Sequence, residues 1–178
     1  MCVKLEHMQI RGGLPEHPVP DRVRQTALGS IRIHGLVERE LTVDAGELAV
    51  AEHVTLEEPF TCEEGWTVPG LRWTGISLAD VLARARPLAT ARFVHVWSGS
   101  YSISLPLAQA ERVLLCDMLD GVPLPIQHGG PWRLVIPGGQ CFSSVKWVDR
   151  LELTLEEGQS TGELIARQRL APSADFAT

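Results

Sequence analysis

No stretch of the 178-residue chain stays apolar for the ~20 residues a membrane-crossing helix needs. Its start, MCVKLEHMQIRGG, has neither an apolar leader core nor a twin-arginine signal. No membrane span is expected, and the expected location is cytoplasmic. Lys and Arg number 16 against 22 Asp and Glu, for a net charge of -6, and form no run long enough to track a phosphate backbone, which argues against a nucleic-acid partner. The four cysteines, Cys2, Cys62, Cys116 and Cys141, make no C-x-x-C pair and no C-x-x-C-H haem attachment, so neither a zinc ribbon nor a covalent haem is expected. Disulfides are rare in a reducing cytosol, so each thiol needs its own explanation, which leaves room for one as a metal ligand.

Other familiar chemistries lack their signatures too. His34, His53 and His95 form no H-x-x-x-H or H-E-x-x-H pairing and read as satisfied or exposed histidines. Ser98, Ser100 and Ser102, in WSGSYS, lack the G-x-S-x-G elbow of a serine hydrolase. Glu63 and Glu64 are adjacent, so an extended chain points them to opposite sides and they cannot act as a glycosidase pair. There is no internal repeat, no low-complexity tract and no βαβ rhythm of the dinucleotide-binding kind.

What is present suits one domain: 44% hydrophobic residues are enough for a sizeable core without disulfide staples. Residues 1–29, with prolines and no periodicity in RGGLPEHPVPDRVRQTALG, read as an extended lead-in; 30–157 read as the compact domain and 158–178 as a peripheral tail. SIRIHGLVERELTV alternates like a strand pair, and DAGELAVA follows as a short helical turn. Ser77 and Asp80 predict a capping box before LADVLARAR, with Pro87 as the stop. ARFVHVWS and YSISL read as strands about a Gly99 turn, and LAQAERV as a helical turn after Pro106. Asp120-Gly121 is a tight-hairpin signal, WRLVI a strand, and VKWVDRLELTL a longer strand. The predicted class is α+β, mainly mixed β-sheet with short helices.

Two segments carry candidate chemistry. FTCEEGWTVPGLRWTGISL holds a lone thiol, Cys62, whose bland reading is a small apolar core filler. His128, Arg133 and Lys146 flank a predicted strand beside the glycine turns HGGP and PGGQ. With the Gly138-Gly139 backbone and the Ser143 and Ser144 hydroxyls they would make an anion cradle; the competing reading is solvated surface charge. Trp66 and Trp147 are placed to wall such a site, and Tyr101 either lines it or packs.

Taken together, C-x-E-G-W, R-W-x-G-I-x-L, H-G-G-P-x-R-L-V-I-P-G and S-V-K-W, in that order, resemble the molybdopterin-binding domain of the sulfite oxidase family over about residues 30 to 155. The resemblance implies a mostly β, barrel-like α+β fold holding molybdenum through a pterin dithiolene and one protein thiolate. That thiolate would be Cys62, a soft ligand suited to the metal and kept deprotonated by it. His128, Pro131 and Arg133 would hold the pterin and its phosphate, with Lys146 also at the pterin and Phe142, Ser143 and Ser144 on the loop lining it. The implied activity is two-electron oxo transfer to or from a small sulfur- or nitrogen-centred substrate, with Glu64 as a proton-handling carboxylate. The alternative is a molybdopterin-binding module or inactive paralogue without turnover.

The chain departs from the family in three places. C-E-E-G-W lacks the substrate-binding arginine of sulfite oxidases proper and is closer to the C-V-E-G-W branch, which includes the catalytic subunit of bacterial protein-methionine-sulfoxide reductase. Cys141 stands where the family has a glycine, and Ser143 where it has a basic residue. No dimerisation or haem domain is recognised, so a separate electron donor or acceptor protein, or a small carrier, is the expected redox partner.

Overall fold

The computed structural model of the chain describes residues 14, 16, 18–25, 29–62 and 65–170. A short helix, α1 (Asp21–Gln25), precedes β1 (Ile31–Gly35), β2 (Leu41–Val43) and α2 (Ala45–Ala49). Two long strands follow, β3 (Val54–Thr61) and β4 (Thr67–Ser77), then α3 (Leu78–Ala83) and the β5 (Phe93–Ser98) and β6 (Tyr101–Pro106) hairpin. The chain continues through β7 (Leu114–Leu119), β8 (Val122–Pro123), β9 (Arg133–Val135), β10 (Arg150–Thr154) and α4 (Thr161–Leu170). These strands make two five-stranded sheets, one ordered β2-β1-β10-β5-β6 and the other β3-β4-β7-β8 with β9 also paired to β7. Mixed sheets with few, short helices are the α+β architecture expected.

In the first sheet β1 pairs in parallel with β10, Ile33 opposite Leu151. Alternation turns Ile31, Ile33, Val94, Val96, Leu151 and Leu153 onto one buried face, where α3 adds Leu78, Val81 and Leu82. β6 is one of the two edge strands, and hydroxyls satisfy its outward N–H groups: Ser102 N–H donates to Thr161 Oγ1 (2.7 Å) and Ser104 N–H to Ser160 Oγ (2.9 Å). A second core, with Phe60, Leu71, Trp73, Cys116 and Leu119, lies on the second sheet.

Local signals translate directly. Asp120 and Gly121 both have positive φ, 51° and 82°, as a tight β7–β8 hairpin requires. Asp44 caps α2: its carboxylate accepts from Glu47 N–H (2.8 Å) while the Glu47 side chain accepts from Asp44 N–H (3.0 Å).

Three expectations are corrected. Ser77 makes no side-chain cap, because it is the last residue of β4 and is paired with Leu114. α3 ends at Ala83 rather than at Pro87, since the residue before a proline avoids the right-handed helical region and Arg86 turns to φ 54°. VKWVDRLELTL is a strand only over Arg150–Thr154. Trp147 has φ 55°, and the N–H groups of Trp147 and Val148 donate to the carbonyls of Gly129 (3.0 Å) and Trp132 (2.9 Å), so residues 145–149 run as a strap across the 129–132 turn. LAQAERV is a 3-10 helix, Leu107–Arg112.

Candidate cofactor site

β3 and β4 run antiparallel, Thr61 opposite Thr67, and leave Cys62 at the head of the connection. Its N–H donates to the Trp66 carbonyl (2.9 Å), and its own carbonyl accepts from Gly65 N–H (3.0 Å). The side chain is 6% exposed. Glu63 and Glu64 fall outside the described residues, and the proposed role of Glu64 with them.

The sulfur of Cys62 is not filler among aliphatic neighbours. It is joined to Cys141 as a disulfide, across 79 residues, with Cα atoms 4.9 Å apart. This departs from the expectation that every thiol stands singly. Cys141 opens the 3-10 turn Cys141–Ser143, so the hairpin tip and the PGGQ corner meet in space. Tyr101 Oη donates to the Phe142 carbonyl and fixes this turn to β6, and α4 packs beside it with Gly162 against the Tyr101 ring.

Two residues before Cys62, Phe60 reaches the basic residues. The Arg133 guanidinium lies 5.0 Å from the Phe60 ring centroid and 4.9 Å from that of Trp73. Arg133 is not a strand-end surface charge: it is 3% exposed, and Nη1 donates to the His128 carbonyl (2.9 Å). Burial pulls its pKa down to about 10, with Cys116 partly opposing. Its Nε is buried without a hydrogen-bond partner among the described residues.

Lys146 sits on the strap, its Nζ donating to the Gln127 carbonyl (3.2 Å). Burial, and then the neighbouring Arg133 charge, push its pKa down to about 7, with Glu16 opposing. Trp147 Nε1 donates to the Ile126 carbonyl (2.7 Å), with the Lys146 ammonium 5.8 Å from its ring centroid. His128 is buried at the end of the 126–128 turn, where Gly129 takes φ 108°; a Cβ on Gly129 would meet Lys146 Cγ at 2.8 Å. The strap thus lies directly on the glycine turn.

The other cradle donors are engaged internally. Gly138 N–H donates to Glu58 Oε1 (3.0 Å), Gly139 N–H to the Ile136 carbonyl (2.9 Å) and Ser143 Oγ to the Gln140 carbonyl (2.6 Å), while Ser144 is buried. Glu58 therefore stands where an anion would meet the Gly138 backbone. Elsewhere His53 pairs with Asp117 (3.2 Å), and His95 accepts from Gly158 N–H (3.0 Å), both outside this cluster.

Residues 17–162 match the family described as the oxidoreductase molybdopterin binding domain. The chain belongs to this family. It is 36% identical over 120 residues to human mitochondrial sulfite oxidase, covering 60% of this chain and 22% of that protein. It is 31% identical over 157 residues to the NADPH nitrate reductase of Neurospora crassa (68% and 16%), and 30% identical over 138 residues to the catalytic subunit of protein-methionine-sulfoxide reductase, MsrP, of Xanthomonas campestris pv. campestris (66% and 42%). The chain therefore spans less than half the length of each of these relatives. The sulfane dehydrogenase SoxCD from Paracoccus pantotrophus shares the fold, with a TM-score of 0.69 at 23% identity, covering 74% of this chain and 39% of that one.

Molybdenum cofactor is the group such a domain binds, and the residues present fit it. A soft thiolate suits a high-valent oxo-metal and Cys62 would supply it, while an anionic pterin calls for cations, which Arg133 and Lys146 would supply. The buried, unused Nε–H of Arg133 is a donor awaiting an acceptor. The fit carries one condition: the Cys62 sulfur must be released from Cys141. In the sequence Cys141 shows only as a departure from the family, a thiol standing in a glycine position, and no local pattern points to Phe60 or Glu58.

Proposed function

We propose that this chain is a molybdenum cofactor-dependent oxidoreductase acting on a small sulfur- or nitrogen-centred substrate, with Cys62 as the metal's protein ligand. When bound, the cofactor supplies two-electron oxygen-atom transfer. The chain's own residues position and enclose it. Cys62, held by two backbone hydrogen bonds at the end of β3, would present its sulfur to the metal. Arg133, packed against Phe60 and Trp73, and Lys146, held on the strap, would hold the anionic pterin and its phosphate together with the 128–131 turn. Trp66 packs on Phe60, with ring centroids 6.0 Å apart, beside the hairpin end that carries Cys62. A separate protein or small carrier is proposed to exchange electrons with the site.

The observation that carries this reading is the meeting of the Cys62 sulfur with the glycine corner that leads to Lys146. A second reading, a cofactor-binding module without turnover, is favoured by Cys141 in the family's glycine position and in contact with that same thiol. Protein made in a host competent in pterin synthesis and fed molybdate discriminates them. It is assayed for molybdenum and pterin, then with a reduced viologen dye and S-oxides or nitrate, and with ferricyanide and sulfite. Bound metal and pterin with turnover in either direction support the enzyme, and bound cofactor without turnover supports the module. Absence of both metal and pterin overturns both readings.

A further inference from the structure

Cys141 and Cys62 belong to different elements, the 141–143 turn and the head of the β3–β4 connection, yet their Cα atoms lie 4.9 Å apart, within the 4.4–6.8 Å range of natural disulfides. Both elements are anchored independently of the sulfurs. Cys62 is held through its own backbone bonds to Trp66 and Gly65, and the turn is held through the Tyr101 to Phe142 bond. The proximity is thus a property of the fold. A glycine at 141 would leave the Cys62 sulfur without this neighbour.

We propose that Cys62 and Cys141 are a reversible thiol–disulfide pair, a modification site for low-molecular-weight disulfides, and that its oxidation closes the cofactor site by consuming the ligand sulfur. The inference rests on the reading of Cys62 as the metal's ligand. A sulfur that ligates as a thiolate carries a negative charge and a free lone pair; the same sulfur in a disulfide is neutral and already bonded, so the two states exclude one another.

Access sets the order of events. Cys141 is half-buried beside the exposed residues 138–140, whereas Cys62 is 6% exposed. The Cys141 thiolate attacks an external disulfide, R–S–S–R, breaking that bond, forming a mixed disulfide and expelling one thiolate. The Cys62 thiolate then attacks the Cys141 sulfur, displaces the second thiolate and forms the Cys62–Cys141 bond. The two protein thiols give up two electrons and two protons, and the external disulfide leaves as two thiols. An external dithiol runs the exchange in reverse. Cys116 takes no part, since it is fully buried and burial raises its thiol far above the ordinary range.

The test uses the full chain without cofactor, either fully reduced or treated with oxidised glutathione. Iodoacetamide labelling and peptide mass spectrometry report the cross-link. Each sample then receives molybdenum cofactor released from a donor protein, and retained pterin is measured after gel filtration. The proposal expects a Cys62–Cys141 linked peptide only in the oxidised sample, and at least tenfold less retained pterin there than in the reduced one. Cys141→Ser, and Cys141→Ala in parallel, are expected to retain equal amounts after either treatment. Failure to form the linked peptide overturns the proposal. So does equal retention by reduced and cross-linked protein, which leaves Cys62 free to be a ligand in some other arrangement. Retention by none of the samples, the variants included, overturns the ligand reading and the switch with it.

Discussion

The Arg133 guanidinium lies 4.9 Å from the centroid of the Trp73 ring, with Phe60 on it as well at 5.0 Å, inside the second core. A desolvated cation packed against two aromatic rings contributes about 2 kcal/mol or more. Its long side chain also packs against both rings. Arg133→Ala is therefore expected to lower the unfolding free energy in urea by about 3 kcal/mol, and Arg133→Met by clearly less, because methionine refills the space without a charge to desolvate. Both variants are expected to retain less pterin than the parent. An alanine variant within about 0.5 kcal/mol of the parent would contradict the buried position.

The pH dependence of stability should carry the signature of Lys146. Its folded pKa, about 7, lies below its ordinary 10.5. Between those values the unfolded chain holds a proton that the folded chain does not, so stability rises with pH across that window, and the penalty of the buried ammonium is fully present below it. Urea melts of the cofactor-free protein from pH 6 to about 10 are expected to show this rise, and Lys146→Met to flatten it. An equal slope in the variant would remove Lys146 as its source.

Gly129 combines a φ of 108° with a strap pressed against it, so a Cβ there would meet Lys146 Cγ at 2.8 Å. Gly129→Ala is expected to lower stability by about 1–3 kcal/mol and to displace Lys146. Thermal unfolding checks the first effect, and loss of the Lys146-dependent pH slope checks the second.

The Cys62–Cys141 bond closes a loop of 79 residues. Constraining the unfolded chain to that extent stabilises the fold by about 4 kcal/mol in the chain-entropy account. Parent protein is expected to lose a comparable amount on reduction in urea melts, and Cys141→Ser to be insensitive to reductant. A reductant effect that persists in Cys141→Ser would assign the cross-link elsewhere.

Features set by neighbouring residues were readable from the chain: the Asp120-Gly121 and Gly99 hairpins, the β1–β2 pair, and the motifs that picked out Cys62, His128, Arg133 and Lys146. Features set by distant pairing were not. S-x-x-D reads the same whether the serine caps a helix or ends a strand, and only the pairing of Ser77 with Leu114 decides it. The alternation at the C-terminal end of VKWVDRLELTL suits a strand that runs through the whole segment, but the hydrogen bond from Trp147 to Gly129 makes 145–149 a strap across the turn. Arg133 looked exposed because charge normally is; its burial requires Phe60 and Trp73 from another hairpin. The approach of Cys141 to Cys62 depends on where both sheets place their loops, which no local pattern records.

The central claim, that the Cys62 sulfur bonds the metal, is tested most directly by molybdenum-edge X-ray absorption on reduced, cofactor-loaded protein. The parent and Cys141→Ser are expected to show the dithiolene sulfurs and one more around the metal, and Cys62→Ser to show one sulfur fewer. The same sulfur coordination in the parent and in Cys62→Ser would contradict it.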